Sequence, residues 1–454
     1  MRIFIVGCGK IGQTLARQLV AETHDVTVID TNEQVLETMG NTLDVICYAG
    51  NGASYLALRD AGAADADLLV AVTASDEVNM LCCLTAHKLG ARHTVARVRN
   101  PEYFEQLYFL KEDLGLSMVI NPELAAAQEI ARLLRFPSAA KVELFAKGRA
   151  ELVSFRLPED SPLLGVPLHE LPKKTGMRVL FCAVDRDGEV SIPDGEFRLR
   201  AGDRVYLTGA TEEIGGAFRR MHLVSSRVRD VIIAGGGRIT YYLAGMLHKA
   251  GMGVKIIERD AARAQELSTL LPRCTVLHGS VADHELLLEE GLAGSDAFVA
   301  LTGLDEGNIL AAMYASSSGV RKVIAKVNNA NLVQLVRDGR LESVVSPRDI
   351  TANRIVAYVR AVNASRDSGN VESLFQIVGG KVEVLEFHAG DEGAFLNVPL
   401  KDLRTKPGIL IACLVRGGRA IIPGGMDSIH PRDGVLVVTK DHHLTALEDI
   451  LAEA

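Results

Sequence analysis

Gly7-Cys8-Gly9-Lys10-Ile11-Gly12 follows the apolar run Ile3–Val6, and an acid, Asp30, closes the next apolar run, Val26–Ile29. Each residue type in that spacing has a chemical reason. Gly7 permits a tight turn, Gly9 lets backbone approach a pyrophosphate, and Gly12 lets a helix pack close to a sheet. A helix from Lys10 to Val20 would aim its unpaired N–H groups, at the positive end of its dipole, at that pyrophosphate. Asp30 stands 18 residues beyond Gly12, at the tip of the second strand, where a carboxylate accepts both ribose hydroxyls. The same carboxylate repels a 2′-phosphate, so an NAD-type ligand is expected over an NADP-type one.

The pattern returns at a constant offset of 228 residues: Gly235-Gly236-Gly237-Arg238-Ile239-Thr240 follows Val231–Ala234, and Glu258 follows Val254–Ile257. One glycine fingerprint is weak evidence. Two copies, each between a strand and a helix and each trailed by an acid at the same distance, argue for two nucleotide-binding folds. The second copy departs in two ways. Thr240 replaces the third glycine, so its Cβ must fit between helix and strand or the helix must stand off. Glu258 carries its acid on a longer arm and is followed by Arg259, which can offset a negative ligand. A second nucleotide site with a different preference is expected.

Further repeated residues lie beyond the carboxyl ends of the expected strands, where open parallel sheets bind ligands. Gly50-Asn51-Gly52 corresponds to Gly279-Ser280, and Thr73-Ala74-Ser75-Asp76 to Thr302-Gly303-Leu304-Asp305. Thr-x-x-Asp is also a helix capping box, so ligand contact and cap are both open readings. Arg97 and Lys326 occupy matching places in strand five, as ligand-phosphate contacts or as solvated charges, with Asn79 and Asn308 matched on the fourth helix. The candidate ligand residues are therefore Gly7, Cys8, Gly9, Lys10, Ile11, Gly12, Asp30, Asn51, Gly52, Thr73, Ala74 and Arg97 in the first half. In the second they are Gly235, Gly236, Gly237, Arg238, Ile239, Glu258, Gly279, Ser280, Thr302 and Lys326.

The elements that must position these residues alternate strand and helix. Strands are expected at Arg2–Val6, Asp25–Ile29, Val45–Tyr48, Leu68–Val72 and Thr94–Val98, with a short one at Val119–Ile120. Helices fall between them, including Tyr55–Ala61 and Asp76–Leu89. Asn121-Pro122 then precedes the small-residue helix Ala125–Phe136, and Ser346-Pro347 precedes its counterpart Ile350–Val362. Such a helix, following a complete fold, reads as a crossover that packs on a partner domain. Beyond each crossover come short alternating runs broken by Pro and Gly: Leu152–Leu157, Met177–Val184, Glu189–Ile192 and Arg204–Thr208, then Val382–Phe387, Ile409–Val415, Ala420–Ile422 and Val435–Thr439. Val166-Pro167-Leu168 recurs as Val398-Pro399-Leu400, and Ile192-Pro193 as Ile422-Pro423. The fold class is α/β, a tandem duplication of a doubly wound parallel-sheet Rossmann domain followed by a small β-rich α+β domain. The two halves join at Ser225–Asp230.

Composition bounds the function. A chain of 454 residues, 48% apolar, can build several cores, and a net charge of −8 disfavours a nucleic-acid partner bound through phosphates. No apolar stretch approaches the length of a spanning helix, and the sequence starts directly in a strand without a charged-then-apolar leader. A cytosolic protein is expected. Seven cysteines show no metal spacing, and no metal site is expected; the adjacent pair Cys82-Cys83 reads as buried, reduced thiol.

Gly7–Gly12 with Asp30, Gly50-Asn51-Gly52, Thr73–Asp76 and the Arg97 strand, followed by a crossover helix and a β-rich module, resemble an RCK (KTN) unit. Two such units in one chain are similar to the cytosolic regulatory subunits of Trk-type bacterial potassium uptake systems. On that resemblance residues 1–122 and 228–348 are RCK N-type domains, with crossovers to about 138 and 363, and 140–224 and 369–454 are RCK C-type domains. The resemblance implies NAD(H) binding, with ATP or ADP as competing ligands. It also implies assembly as a homo-oligomer, four chains forming a ring of eight units, on the cytoplasmic face of the inner membrane beneath a membrane-embedded, potassium-translocating Trk-type subunit. Thr240, and Asn51 where such units often carry an acid, depart from the pattern. The alternative is an NAD-dependent oxidoreductase. Hydride transfer usually needs a proton relay, and His24, His87, His93 and His442-His443 recur at no equivalent places in the two halves. No catalytic residue is expected.

Overall fold

The computed structural model describes the chain except residues 137–138, 140, 146–149, 222–227, 330, 334–340, 342, 367–370, 379–380, 441–443, 445 and 453–454. Part of the central junction, and His442-His443, thus lie outside the described residues. In the first Rossmann fold β1 (Arg2–Val6), β2 (Asp25–Asp30), β3 (Ile46–Ala49), β4 (Leu68–Ala71), β5 (His93–Arg97) and β6 (Met118–Ile120) alternate with α1 (Lys10–Ala21), α2 (Glu33–Thr42), α3 (Tyr55–Asp60), α4 (Asp76–Leu89) and α5 (Pro101–Leu110). The strands pair in parallel in the order β3-β2-β1-β4-β5-β6. This order reverses direction at β1, so the crevice above its carboxyl end lies over the glycine loop. β1 after Arg2, and all of β4, run as unbroken apolar strands because both faces are covered by helices: Ile3, Ile5, Leu68, Leu69 and Val70 are fully buried.

The crossover α6 (Pro122–Arg135) leads into the first small module. There β7 (Lys141–Phe145), β8 (Ala150–Arg156), β9 (Leu180–Arg186), β10 (Glu189–Ser191) and β11 (Arg204–Ala210), with α7 (Leu171–Thr175) and α8 (Thr211–Arg220), form an antiparallel sheet in the order β10-β9-β11-β8-β7. The second half repeats the order of strands in both sheets. β12 (Asp230–Ala234), β13 (Gly253–Glu258), β14 (Thr275–His278), β15 (Ala297–Ala300), β16 (Lys322–Lys326) and β17 (Ser343–Val345) stand in the order β14-β13-β12-β15-β16-β17. Their helices are α9 (Arg238–Lys249), α10 (Ala261–Leu270), α11 (His284–Glu289) and α12 (Asp305–Ser317), followed by the crossover α13 (Pro347–Arg366). The second module, β18 (Val371–Ile377), β19 (Val382–His388), β20 (Ile409–Arg416), β21 (Arg419–Ile421) and β22 (Gly434–Thr439), has the order β18-β19-β22-β20-β21. Helix α5 and the outer strands β7 and β18 were not expected from the sequence. Pro101 at the first turn of α5, behind the Asn100 cap, is compatible with a helix start.

The tertiary structure groups like with like. One compact unit comprises residues 1–130, 230–319 and 323–359; the other comprises 131–229, 320–322 and 360–454. In the first unit the crossover helix of the second half completes the core of the first fold: Ile355, Val356 and Val359 pack with Ile3, Ile5, Leu15, Leu19 and Val28. Tyr358 Oη lies 3.2 Å from His93 Nδ1, and Gln18 Nε2 donates to Asn353 Oδ1 at 3.1 Å. In return Asn121, just before α6, donates through Nδ2 to Tyr242 Oη on α9 at 3.1 Å. The second crossover thus packs on the opposite fold, which is why its buried face is apolar with no core of its own to fill. In the second unit the two sheets share a core of Leu152, Cys182, Tyr206, Val384, Cys413 and Leu436.

Two tests follow from this packing. Ile355→Ala should destabilise the first Rossmann fold, although residue 355 belongs to the second half, by about 2–5 kcal/mol for a core truncation; denaturant unfolding followed by hydrogen exchange in β1 and β2 would measure it. Burial raises the thiol pKa of Cys82 to about 12 and also raises that of Cys83. Alkylation of the native protein at pH 8 should therefore leave this pair unmodified while the exposed Cys47 reacts.

Candidate nucleotide sites

Each glycine loop is held by the acid at the end of the second strand. Asp30 accepts the Cys8 N–H through Oδ2 at 2.5 Å and the Asn32 N–H through Oδ1 at 2.9 Å. Glu258 does the same with Gly236 N–H at 2.5 Å and Asp260 N–H at 2.8 Å. The longer glutamate arm reaches an equivalent backbone position, so both loops are fastened alike. The carboxylate that would meet a ribose is already oriented by two backbone donors in each copy.

The glycines divide by function. Gly7 has φ +99°, and a Cβ there would stand 2.8 Å from Thr73 N, so the loop passes against the end of β4. A Cβ on Gly12 would overlap the Gly7 carbonyl oxygen. Gly9 is different: nothing lies within 4 Å of its missing Cβ, and Gly237 is equally open. These two glycines begin α1 and α9, which have no side-chain cap, whereas α2, α3, α4 and α5 are capped by Asn32, Ser54, Ser75 and Asn100. Open helix N-termini beside a loop with clearance are what a pyrophosphate requires, so these residues fit a dinucleotide. At Thr240 the side-chain problem is solved by chemistry: its buried hydroxyl donates to the Gly235 carbonyl at 2.5 Å, replacing a clash with a hydrogen bond.

The strand-four loop is built otherwise than a Thr-x-x-Asp capping box. Ser75 is the N-cap of α4 and accepts the Val78 N–H at 3.1 Å. Thr73 instead donates N–H and hydroxyl to Asn79 Oδ1, both at 2.8 Å, and Asn79 Nδ2 donates to Thr73 O at 3.3 Å and Arg97 O at 2.9 Å. Asp76 accepts the Arg99 and Asn100 N–H groups at 2.8 and 2.7 Å. The second copy repeats the network with Thr302, Asn308, Lys326 O and Asp305. Asn79 and Asn308, both fully buried, therefore tie the ends of strands four and five together. The sequence signalled them only as matched positions.

Arg97 is no solvated edge charge. It is half-buried, its Nη2 donates to Thr73 O, and its Nε has no partner. Burial, with Arg99 and Arg238 nearby, lowers its pKa. Lys326 is also shifted down by burial, against the opposing influence of Asp305 and Glu123. Glu123, at the start of α6, accepts from Arg99 Nε at 2.7 Å. Charges from both Rossmann folds thus surround the start of the first crossover. Asn51 Oδ1 accepts the Ala53 N–H at 3.0 Å, Gly52 presses so near Val6 that a Cβ would overlap it, and Gly279 stands likewise against Leu286. Ser280 Oγ accepts the Ala282 N–H at 3.2 Å. Lys10, Ala74 and Arg238 are exposed, while Cys8 and Ile239 are buried. The sequence reading missed Arg263, whose Nε donates to Gly236 O at 2.8 Å; the visible signal is that the first copy has Val35 at that place.

Replacing Asn79 with alanine should leave the Thr73 N–H and the Arg97 carbonyl without their buried partner. The expected loss is about 1–3 kcal/mol per orphaned group, read by denaturant unfolding, with Asn308→Ala giving a like loss.

Comparison with known proteins shows the family. The TrkA-N domain model matches residues 3–122 and 231–347, and the TrkA-C domain model matches 152–222 and 384–452. A Trk system potassium uptake protein TrkA of Haemophilus influenzae is 32% identical over 447 residues, covering 97% of this chain and 96% of the relative. A TrkA homolog of Archaeoglobus fulgidus is 35% identical over 454 residues, covering 99% and 100%. These relatives carry the names of potassium uptake proteins, not of enzymes. The GsuK channel has the same fold, with TM-score 0.64 at 17% identity over 97% of this chain and 77% of its own; a GsuK channel bound to NAD gives 0.62 over the same shares. With two TrkA-N and two TrkA-C segments in alternation, the chain belongs to the TrkA family of Trk system potassium uptake proteins.

Proposed function

We propose that this chain is a nucleotide-sensing regulatory subunit that binds NAD(H) at Gly7–Gly12 and Asp30 and thereby gates a Trk-type membrane potassium-translocating subunit. The observation that carries the reading is the pair of uncapped helix N-termini, each beside an open glycine and an acid fastened to the loop. ATP and ADP compete for these loops, and the second site, with Thr240, Glu258 and Arg263, has its own preference. The NAD-bound channel of like fold supports the choice of ligand. No bond is made or broken. The nucleotide acts by favouring one arrangement of the cleft, with about 1–3 kcal/mol of coupling per site. Four chains form a ring of eight Rossmann units on the cytoplasmic face of the inner membrane.

Asp30→Ala should weaken NADH binding through loss of charged hydrogen bonds to the ribose, each about 1.5–3 kcal/mol, as read by calorimetric titration; unchanged affinity would remove Asp30 from the site. Gly9→Val should abolish one of two classes of nucleotide binding. Cells lacking the chain should take up potassium poorly and recover with the parent but not with a chain carrying both Gly9→Val and Asp30→Ala. Uptake indifferent to the chain, together with NADH-dependent turnover of a metabolite, would establish the oxidoreductase instead.

A further inference from the structure

The first small module holds a cavity of about 550 Å³ lined by Arg186, Arg198 and Arg200, with Leu164, Phe197 and Leu199 among its apolar walls. Its frame is rigid. Arg186 grips the buried Asp203 with Nε–Oδ1 and Nη2–Oδ2 bonds of 2.8 Å each, and donates from Nη2 to the Arg198 carbonyl at 3.1 Å. The Arg200 N–H donates to Asp203 Oδ2 at 2.8 Å. Residues 198 and 200 are therefore fixed by their backbone, on the same side of an extended segment, with Leu199 buried between them.

The second module shows which parts of this arrangement the fold requires. At an offset of 230 residues Arg416 grips Asp433 with bonds of 3.0 and 2.7 Å. Arg416 also donates to the Ser428 carbonyl at 2.7 Å, and the His430 N–H donates to Asp433 at 2.9 Å. The strut is the same, but Arg198, Arg200 and Phe197 are replaced by Ser428, His430 and Asp427. Holding the segment thus needs neither arginine and no aromatic ring. Arg198 does donate to the Gly165 carbonyl, and both its guanidinium and that of Arg200 remain exposed. Phe197 lies with its ring centroid 5.2 Å from the Arg186 guanidinium, making a flat wall. Glu196, also on the rim, stands 3.3 Å from His169. With Arg186 neutralised by Asp203, Arg198 and Arg200 outweigh Glu196, and the cavity keeps a positive excess.

We propose that this cavity binds a small organic anion carrying a phosphate or carboxylate on a flat apolar body, a ligand site present in the first module and absent from its repeat. Arg198 and Arg200 hold the anionic group, and Phe197 with Leu164 receives the apolar body. The test uses the full chain and phenyl phosphate, benzoate and inorganic phosphate as probes in calorimetric titration. It compares the parent with the double variant Arg198→Ser, Arg200→His, which carries the second module's own residues. The glycine loops are identical in the two proteins, so any difference belongs to the cavity. The parent should bind phenyl phosphate or benzoate more tightly than inorganic phosphate, and the variant should lose about tenfold or more of that affinity with melting curve and NADH titration unchanged. Should the double variant melt early, Arg200→Gln alone must give the same selective loss. No binding by the parent, equal binding by the variants, or a variant that changes only the association of chains would each overturn the proposal.

Discussion

The glycine loop must cross the end of β4 within contact distance, and the rest of each Rossmann fold is arranged around that approach. Glycine is required at position 7 because φ is positive there and any Cβ would strike the Thr73 backbone. The loop then needs something to hold it from the other side, and the carboxylate at the end of β2 does so through the Cys8 N–H. Strand four's end must itself stay fixed, which is the task of the buried Asn79 bonded to Thr73 and to the Arg97 carbonyl. What remains unsatisfied after these constraints is the N-terminus of α1. In the proposed function a ligand's pyrophosphate is the partner for it.

The duplication adds a second level. Two copies of one fold could sit as separate beads, yet the Rossmann folds form one unit and the small modules another. The crossover helix of the second half fills the core of the first fold with Ile355, Val356 and Val359. An apolar helix face without a local core is costly in water, and the opposite fold buries it. One consequence is that Arg238 and Glu123, from different folds, both bear on Arg97. The two candidate sites are therefore coupled in charge although a whole module separates them along the chain.

Divergence between the copies is most telling where the scaffold is unchanged. Thr240 keeps the loop closed by bonding the Gly235 carbonyl, the counterpart of the Gly7 carbonyl that a Cβ at Gly12 would strike. Arg263 lies over the second loop where the first has Val35, and Ser428 and His430 stand where the first module has Arg198 and Arg200. A repeated fold separates what a residue does for structure from what it does for a ligand.

The sequence by itself determined the two parallel sheets, the glycine loops with their acids and the approximate places of most strands. These follow from local rules: apolar runs long enough to be covered on both faces, and glycines where only glycine fits. It also made the crossovers legible as helices lacking a core of their own. Tertiary structure alone decided three things. It placed Ser75 rather than Thr73 as the cap of α4, because Asn79 claims the Thr73 hydroxyl. It made β7 and β18 the outer strands of their sheets, positions fixed by pairing with β8 and β19 rather than by local pattern. It joined Arg186 to Asp203 and, through that pair, fixed two arginines beside Phe197. Each depends on groups brought together by folding, and no periodicity along the chain encodes which distant partner a hydrogen bond will find.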